Sequence, residues 1–453
     1  MADGEPWPEL LLSGEGALPS VFAVTDLAAA SVAAAGRGVA RLVSQLGGPA
    51  GPVAVDGRMA SLWFRWTIMP DGWKLAPAWD AIAGDYETAD GWIKLHTNAP
   101  HHRAAALAVL GVPAQRELVA AVVAGWPGAE LETAVVEGGG CAAAMASVEE
   151  WALHPQGVAV GSEPTVDLKL AALAHRPDLD LGSGPGLDYR RPLAGVRVLD
   201  LTRVLAGPIA TRFLAGLGAD VIRIDPPSWN EPGVVPEVTR GKRCGRLDLT
   251  EPEHHEELQS LLAEAHIMVH GYRPGALDRL GLGAEERQAL APGLVDVSLD
   301  AYGWTGPMAG RRGFDSLVQM SSGIAEAAMT TTGADRPTPL PVQALDHATG
   351  YLVAATALHG FVERLRSGRG FIGRTSLART AKTLVSGPRT DIETDLEPAG
   401  RADVEEQIEQ SAWGPARRLR PPVQVEGAPL RWDLPATELG SEPRPLAWRS
   451  DDG

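Results

Sequence analysis

Asp346 is the residue whose type and position offer the clearest chemistry in this sequence. Residues 341–345 (PVQAL) predict a strand, and Asp346 follows it at the start of a helix that extends to about Arg366. An aspartate at this position is commonly an N-cap, because its side chain accepts hydrogen bonds from free backbone N–H groups. At the carboxyl end of a strand in an open α/β sheet, its carboxylate is instead free to attack an acyl group. Asp26 opens a similar helix, and we expect one aspartate to be the catalyst and the other a cap.

Clusters of basic residues form a second signal, because they occur in a chain with 57 acidic and 40 basic residues and a formal charge of -17. Local cationic clusters in an acidic protein fit a phosphorylated small ligand better than a polyanion. Solvated surface charge is the alternative interpretation for each cluster. The clustered residues are Arg240, Lys242, Arg243, Arg246, Arg273, Arg279, Arg311 and Arg312.

The sequence lacks the motifs of several other kinds of site. The loop at 205–208 reads LAGP and not GxGxxG, so it has no glycine bend to admit the pyrophosphate of a nicotinamide or flavin. The histidine pairs at 101–102 and 254–255 are sequence neighbours, which do not converge on one metal ion, and we expect them on the surface. No GxSxG motif occurs, and Cys141 and Cys244 have no CxxC partner. We therefore predict no metal site and no permanently bound cofactor.

The clearest structural pattern is a βαβ unit that begins near residue 196. Pro208 stands in the first turn of its helix and Gly218 just beyond the last turn, where each residue is favoured. Apolar strands and a further helix follow this unit, which predicts a doubly wound parallel sheet of the α/β class. The predicted strands are 196–201, 220–225, 267–269 and 294–299, and the predicted helices are 208–217 and 252–264.

The preceding part of the chain predicts a different organisation. A buried helix at 27–46 and a strand at 52–55 come first, and residues 84–157 then predict a small α+β domain. A stretch rich in proline and glycine at about 174–192 predicts a linker. The predicted segments are 1–75, 80–170 (the small α+β domain), 171–191 (the linker), 192–385 (the main α/β domain) and 386–453 (a C-terminal tail).

Residues near the start of the chain are also similar to residues 320 positions later. In both places an acid opens an alanine-rich helix, and a turn with glycine leads to a strand at 53–55 or 374–377. Alanine-rich helices match one another easily, so duplication and chance both remain open on this observation. The identical pairs are Asp26 with Asp346, Ala28 with Ala348, Ala34 with Ala354, Ala35 with Ala355 and Gly48 with Gly368.

Charge and composition limit the partners. An excess of acidic residues repels nucleic-acid phosphates and anionic lipid, so we expect neither as a partner. Residues 1–19 have no basic region before an apolar core, and no apolar run of the length that spans a bilayer occurs. With two cysteines far apart, the sequence predicts a cytoplasmic protein.

Several segments together resemble the class III CoA-transferases, the family that includes formyl-CoA transferase, carnitine CoA-transferase and alpha-methylacyl-CoA racemase. They occur in the family's order along the predicted main α/β domain at 192–385. The matching strings are 192–202 (PLAGVRVLDLT), 206–208 (AGP), 217–222 (LGADVI), 241–243 (GKR), 247–249 (LDL), 273–275 (RPG), 279–282 (RLGL), 303–307 (GWTGP) and 313–315 (GFD).

The resemblance implies a Rossmann-like CoA-binding domain at 192–385, a smaller α+β domain and an interlocked homodimer. It implies that Asp346 is the acyl carrier in a transfer between an acyl-CoA and a carboxylic acid. Arginines near the CoA would pair with its phosphates. The residues that the resemblance places near CoA are Leu205, Ala206, Leu247, Asp248, Leu249, Thr250, Gly271, Tyr272, Arg273, Arg279, Arg312, Gly313, Phe314 and Asp315.

Three departures from the family pattern qualify this expectation. The small domain follows the catalytic aspartate in the family but here comes before the CoA-binding domain, which suggests a tandem duplication that kept parts of two copies. Phe314 stands where the racemases have a histidine base, which disfavours racemisation. Leu205 stands where formyl-CoA transferase has glutamine, and the covering glycine-rich loop has no counterpart, so a formate or oxalate substrate is disfavoured.

We therefore predict a CoA-transferase that works through an aspartyl intermediate on Asp346. One alternative is a racemase or isomerase of the same family, with Asp346 and either His347 or Asp315 as its two bases. The other is a non-catalytic protein that binds CoA esters as the partner of an active relative. The acyl donor and acceptor are not specified by these residues.

Overall fold

The computed structural model describes residues 7–171, 188–390 and 396–449. The predicted linker at 171–191 lies for the most part outside the described residues. The strands are β1 (Leu10–Ser13), β2 (Val53–Asp56), β3 (Ile68–Pro70), β4 (Gly84–Glu87), β5 (Trp92–Leu95), β6 (Ala142–Ala144), β7 (Asp167–Leu170), β8 (Arg197–Leu201), β9 (Asp220–Asp225), β10 (Lys242–Arg246), β11 (Ile267–His270), β12 (Val295–Asp300), β13 (Phe371–Ser376), β14 (Glu409–Ser411), β15 (Gly414–Arg418) and β16 (Val423–Val425). The α-helices are α1 (Val24–Gln45), α2 (Gly57–Arg65), α3 (Pro100–Leu110), α4 (Arg116–Val123), α5 (Gly128–Glu137), α6 (Val148–Leu153), α7 (Pro155–Ser162), α8 (Ala206–Gly216), α9 (Val235–Val238), α10 (Pro252–Glu264), α11 (Ala284–Leu290), α12 (Asp315–Ser321), α13 (Ile324–Thr332), α14 (Ala344–Ser367) and α15 (Leu377–Val385).

Within the described residues, the largest sheet has seven strands in the order β10-β9-β8-β11-β12-β13-β7. The strands from β8 to β13 pair in parallel, and β7 joins the edge antiparallel to β13. Counted along the chain, the parallel strands take the order 3-2-1-4-5-6, so the direction of winding reverses between β8 and β11. The predicted α/β class and doubly wound parallel sheet are confirmed.

Helices cover both faces of this sheet, which explains why its strands are nearly continuous apolar runs. Along β8, Val198 packs into the core beneath α8 and α14, and Leu199 packs into a second core with Leu258 and Leu262 of α10. Gly218 follows α8 with φ of +105°, a conformation that disfavours residues with a Cβ. The predicted helix over 252–264 agrees with α10, and α8 begins two residues before the predicted start.

A small α+β unit precedes the main sheet, although β7, within the predicted small domain at 80–170, joins the main sheet. Strands β4, β5 and β6 form an antiparallel sheet, and α3, α4 and α5 pack on it around Ile93, Val119 and Leu131. A second cluster joins this unit to the main domain, because Cys141 packs with Leu317 of α12. The small unit therefore lies against the main domain of the same chain.

The two similar segments, which begin at α1 and at α14, have the same order of secondary-structure elements. A helix, a strand and a second helix follow one another as α1, β2 and α2, and again as α14, β13 and α15. The residues before the two long helices have nearly the same dihedral angles, with φ and ψ of -72° and 62° at Ala23 and -76° and 64° at Gln343. The two long helices pack directly together, and a Cβ on Gly38 would lie 3.1 Å from Leu358, the equivalent residue of α14.

The C-terminal segment returns to the beginning of the chain. Strand β16 pairs antiparallel with β2, and β15 pairs antiparallel with β3. The buried Arg418 of β15 bonds to Glu409 and Glu237, and Glu237 also accepts a hydrogen bond from the hydroxyl of Thr67. Buried charges are stable only when they are paired in this way. In the described part of the chain, no helix is long and apolar enough to cross a membrane.

Candidate active site

Asp346 is the third residue of α14, and it is 7% exposed. The predicted strand at 341–345 is wrong, because residues 341–343 form a bend and α14 already begins at Ala344. The N-cap is Gln343, and no side chain on its own helix caps the N-terminus. The interpretation of Asp346 as an ordinary N-cap is therefore wrong.

Asp315 supplies the missing cap from a different helix. Its Oδ2 atom accepts the backbone N–H groups of Leu345 at 2.8 Å and of Asp346 at 2.9 Å. Gln319 donates to Oδ1 of Asp315, and its own Oε1 accepts the N–H of Leu340 at 2.7 Å. This network fixes the first turn of α14 against α12.

The two carboxyl groups disfavour each other's ionisation. Burial raises the pKa of Asp315 to about 6, although the hydrogen bonds from α14 and Gln319 oppose the change. Burial raises the pKa of Asp346 well above its usual range, and the charge of Asp315 raises it further. A carboxyl group with a raised pKa is more basic, and hence more nucleophilic once ionised.

Asp26 occupies the equivalent position on α1 but a different environment. It is the third residue of its helix and is exposed to solvent. It does not cap α1, whose N-cap Ala23 receives no side-chain bond, so the expectation that the second aspartate is a cap is also wrong. Burial therefore distinguishes Asp346 from its counterpart.

The N-terminal region of α14 lies against the loop that follows β8. A Cβ on Gly350 would lie 2.5 Å from the carbonyl oxygen of Ala206, so only glycine permits this contact. Leu205 precedes α8 as its N-cap residue. Val204 has φ of +64°, which is strained for a β-branched residue, and its N–H donates to Glu231 Oε2 at 2.9 Å. The predicted residues 205 and 206 are thus brought next to the helix of Asp346.

Arg203 spans the point where the strand order reverses. Its guanidinium donates from Nη2 to the hydroxyl of Tyr272 at 3.1 Å, and it lies 5.1 Å and 5.2 Å from the rings of Trp229 and Tyr272. Ligands of doubly wound sheets bind in the crevice at this edge. Gly271 and Tyr272 directly follow β11 at this edge.

Three of the predicted arginines lie near this crevice without ion pairs to any described residue: Arg273, Arg279 and Arg312. Burial lowers the pKa of Arg273, and the charges of Arg312 and Arg279 lower it further. Within the described part of the chain, Arg273 donates to the carbonyl oxygen of Gly310 at 3.5 Å and Arg312 to that of Gly139 at 3.5 Å. Guanidinium groups that repel one another and lack carboxylates favour an anionic ligand.

The other basic residues are used within the fold, so their interpretation as a ligand site is wrong. Lys242 is fully buried, and its ammonium group also donates to the hydroxyl of Thr211 at 2.7 Å. Arg311 pairs with Glu132 of the small unit at 2.6 Å. The partners of the cluster after β9 are Glu405 for Arg240, Asp200 for Lys242, Asp220 for Arg243, and the carbonyl oxygens of Pro226, Pro227 and Trp229 for Arg246.

The predicted residues 247–250 form the loop after β10 at the same edge of the sheet. Leu247 is buried in the core, and Leu249 packs on it. Asp248 accepts the hydroxyl of Thr250 at 2.7 Å, and this bond lowers the pKa of Asp248. These contacts therefore hold the loop at the carboxyl end of β10.

A cavity of about 190 Å³ lies between the small unit and the main domain. His96 stacks on Phe314 with 3.7 Å between ring centroids and 4° between planes. Burial lowers the pKa of His96 to about 3 and that of His102 to about 4, so both imidazoles are neutral at pH 7. The lining residues include Ala78, Trp79, Asp80, His96, Asn98, Val204, Trp229, Glu231, Gly233 and Phe314.

The sequence interpretation missed most of this cavity. His102 is buried, so the expectation that the adjacent histidines lie on the surface is wrong for it. Trp79, His96 and Trp229 come from separate loops, and no spacing in the sequence joins them. Gly313 lies on the same segment as Phe314, directly before α12. Among the described residues, no group of three or more His, Cys, Asp or Glu could hold a metal ion.

Residues 193–415 match the family described as CoA-transferase family III. This part of the chain, about half of it, is therefore similar to that family. An acyl-CoA transferase of Gibberella moniliformis is 32% identical over 313 residues, which cover 64% of this chain and 54% of the relative. The succinyl-CoA:glutarate CoA-transferase of Mus musculus is 36% identical over 227 residues, which cover 45% of this chain and 51% of the relative.

Solved structures are also similar to part of this chain. The protein Rv3272 of Mycobacterium tuberculosis shares 32% sequence identity with the chain at a TM-score of 0.40, covering 43% of this chain and 56% of that one. The chain spans about half the length of the curated relatives it matches.

Proposed function

We propose that this chain is a CoA-transferase that moves CoA from an acyl-CoA thioester to a carboxylic acid, with Asp346 as the acyl carrier. The observation that carries the proposal is the buried side chain of Asp346, at the first turn of α14 in the matched family region, where Asp315 accepts the backbone N–H of Asp346. Relatives named as CoA-transferases support the reaction class.

The reaction would begin with attack of the Asp346 carboxylate on the thioester carbonyl, which forms a mixed anhydride and releases CoA thiolate. The thiolate would attack the aspartyl carbonyl, which forms an aspartyl-CoA thioester and releases the first acid. The acceptor carboxylate would attack that thioester, giving a second anhydride and the thiolate. Attack of the thiolate on the acceptor carbonyl would yield the new acyl-CoA and restore Asp346. The positive end of α14 would stabilise the developing oxyanions.

The free arginines support a location for the CoA. Its phosphates would pair with Arg273, Arg279 and Arg312, which have no carboxylate partners in the described structure. The pantetheine would pass Leu205 and Ala206, and the nucleotide would lie against the loop at 247–250. These assignments follow the family resemblance.

The cavity beside Phe314 would receive the acyl group. Val204 and Phe314 bound this cavity. Phe314 directly precedes Asp315, which accepts hydrogen bonds from the first turn of α14, and Val204 lies just before Ala206, which contacts Gly350 of α14. Its aromatic walls and the neutral His96 suit an apolar or aromatic acyl group better than one with a second carboxylate. The acids on its lining are already bound, Asp80 to Arg103 and Glu231 to Arg223.

Transfer is favoured over racemisation because a second base is not well provided. Phe314 replaces the family histidine, and His347 is buried against Phe64 with its pKa lowered to about 3. An imidazole with such a low pKa is a weak base. Uptake of deuterium at the α-carbon of an acyl-CoA would support racemisation instead.

The organisation of the chain suits one site built from two partial copies. We propose that residues 1–75 are a partial second copy of the segment from α14 to α15, because the elements and cap dihedrals repeat. The small unit at 80–170 would then close the site of its own chain, since His96 already stacks on Phe314. The homodimer stays a prediction that light scattering of the purified chain would test.

The test of the proposal is intact-protein mass spectrometry after incubation with a panel of acyl-CoAs and trapping with hydroxylamine or borohydride. We expect a trapped mass on the wild type and on Asp26→Ala, and none on Asp346→Ala or Asp346→Asn. CoA should still bind to the Asp346 variants, measured by calorimetry. A trapped mass on Asp346→Ala, or turnover at the wild-type rate, would overturn the proposal, whereas tight CoA binding without a trapped mass on the wild type would favour the non-catalytic alternative.

A further inference from the structure

A second cleft, of about 720 Å³, lies between α1, α14 and β7, away from the site at Asp346. His359 of α14 lines it, and it follows Asp346 by thirteen residues, or roughly 20 Å along the helix. The volume is within the range of small-molecule sites. Its apolar walls include Ala34, Leu168 and Leu352.

Arg37 gives the cleft its chemical character. Its Nε atom is buried, and among the described residues the side chain has no hydrogen-bond partner at Nε and no ion pair. A buried donor without an acceptor is unfavourable, so the arrangement calls for an acceptor that the described residues do not supply. Arg37 lines the cleft, and an anion bound there would satisfy it.

Arg41, one helical turn further along α1, adds a second guanidinium. It donates to Nδ1 of His359 at 3.1 Å and lies 3.8 Å from Glu363, and its guanidinium lies 5.2 Å from the ring of Trp7. Glu363 does not line the cleft, and Glu9, the acid on its lining, is exposed. Burial, with the charge of Arg41, lowers the pKa of His359, so the imidazole is the acceptor in this bond.

The repeat shows that these charges are particular to α1. The equivalent positions on α14 are Ala357 and Phe361, both fully buried in the core. Thus α14 packs apolar side chains where α1 presents Arg37 and Arg41 to a cleft. The combination of apolar walls with a guanidinium that lacks an acceptor fits a molecule with one carboxylate and a hydrocarbon chain.

We propose that this cleft binds the carboxylate of an aliphatic fatty acid, with its head at Arg37 and Arg41 and its chain along the apolar walls. The planar guanidinium matches a carboxylate through two parallel hydrogen bonds. The binding does not depend on CoA or on Asp346, so this site is separate from the proposed transferase site.

Calorimetric titration of the full chain with octanoate, without CoA, tests the proposal, and 1-octanol serves as the uncharged probe. We expect saturable octanoate binding that weakens about tenfold or more in Arg37→Leu, with 1-octanol binding unchanged. Arg41→Leu should weaken octanoate in the same direction, and Thr356→Trp should block both probes by filling the cleft. Arg336→Leu, which removes an exposed guanidinium elsewhere, should change neither.

Asp346→Ala should bind octanoate as the wild type does, which separates this site from the transferase site. A folded Arg37→Leu chain with unchanged octanoate affinity would overturn the proposal, and so would a wild type without saturable binding. Loss of octanoate binding in Phe314→Ala, with Arg37→Leu unaffected, would place the ligand at the other site and would also overturn it. If Arg37→Leu fails to fold, Arg41→Leu and Thr356→Trp decide the outcome.

Discussion

Asp315 holds the backbone of Asp346 at 2.9 Å, through a hydrogen bond from the Asp346 N–H to its carboxylate. The same carboxylate raises the pKa of Asp346 by its charge. One side chain thus positions the proposed acyl carrier and also adjusts its basicity. The pH dependence of activity at this site should therefore depend on the charge of Asp315 as well as on Asp346 itself.

Replacement of Asp315 by Asn keeps an oxygen that can accept the N–H of Asp346 but removes the charge. The pKa of Asp346 should fall, so a larger fraction of it is ionised at low pH. We expect the acidic limb of the kcat profile to move to lower pH in Asp315→Asn. Asp315→Ala should also lose about 1–2 kcal/mol of stability, measured by urea unfolding, because the cap is gone. An acidic limb at the same pH in Asp315→Asn would contradict the coupling.

A stability test of buried charge is available at Asp300, at the end of β12. Burial raises its pKa to about 7, and its Oδ2 atom is buried without a hydrogen-bond partner among the described residues. Because the folded-state pKa is raised, the folded protein binds the proton more tightly, and the stability that Asp300 contributes is lost as pH rises from about 4 to about 7. Asp300→Asn should therefore be more stable than the wild type at pH 8, by at most about 4 kcal/mol, and similar to it at pH 4. Urea unfolding at the two pH values measures this, and equal differences at both would contradict it.

The free arginines should determine CoA affinity. Arg273→Ala or Arg312→Ala should weaken CoA binding about 10- to 100-fold, because a charge-assisted bond to phosphate is lost. The loss should shrink at high salt, since exposed charges are screened. Calorimetry with CoA measures the effect, with Arg336→Ala as the matched control on an exposed arginine. If both variants bind CoA with wild-type affinity, the CoA phosphates do not bind in this crevice.

Lys242 should affect stability and not ligand affinity. Removing its charge leaves Asp200 buried without its partner, so Lys242→Met should cost about 3–5 kcal/mol of unfolding free energy. The double variant with Asp200→Asn should recover part of that loss. Folded Lys242→Met should bind CoA with the affinity of the wild type. Weaker CoA binding would instead indicate that Lys242 contributes to the CoA site.

Phe314 should act on the acyl group through its stack with His96. Phe314→Ala should raise KM for acyl-CoA about 2- to 10-fold, because an aromatic contact at the cavity is lost. The affinity for free CoA should remain unchanged, since Phe314 contacts the proposed acyl end. His96→Leu gives a second variant on the same stack. If the affinity for free CoA falls as much as KM rises, Phe314 contacts CoA itself and not the acyl group.

The sequence alone determined the main sheet of this protein. Continuous apolar strands, with Pro208 at a helix start and Gly218 beyond a helix end, specify the βαβ units because strand burial and helix termini are local properties. The similarity of the segments that follow Asp26 and Asp346 was visible in the sequence. The structure adds that the residues before the two helices have nearly the same dihedral angles.

Only the tertiary structure decided the site. The sequence could not show that Asp315 caps α14 from a separate helix, nor that His96 meets Phe314, because hydrogen-bond and stacking partners are set by how separate elements pack. Long-range packing also decides which arginines are paired with a carboxylate. Arg243 and Arg273 look alike in sequence, but Arg243 meets Asp220 across adjacent strands, whereas Arg273 lies in a loop without a carboxylate. Local patterns specify which residues are buried or cationic, and long-range packing specifies what each of them contacts.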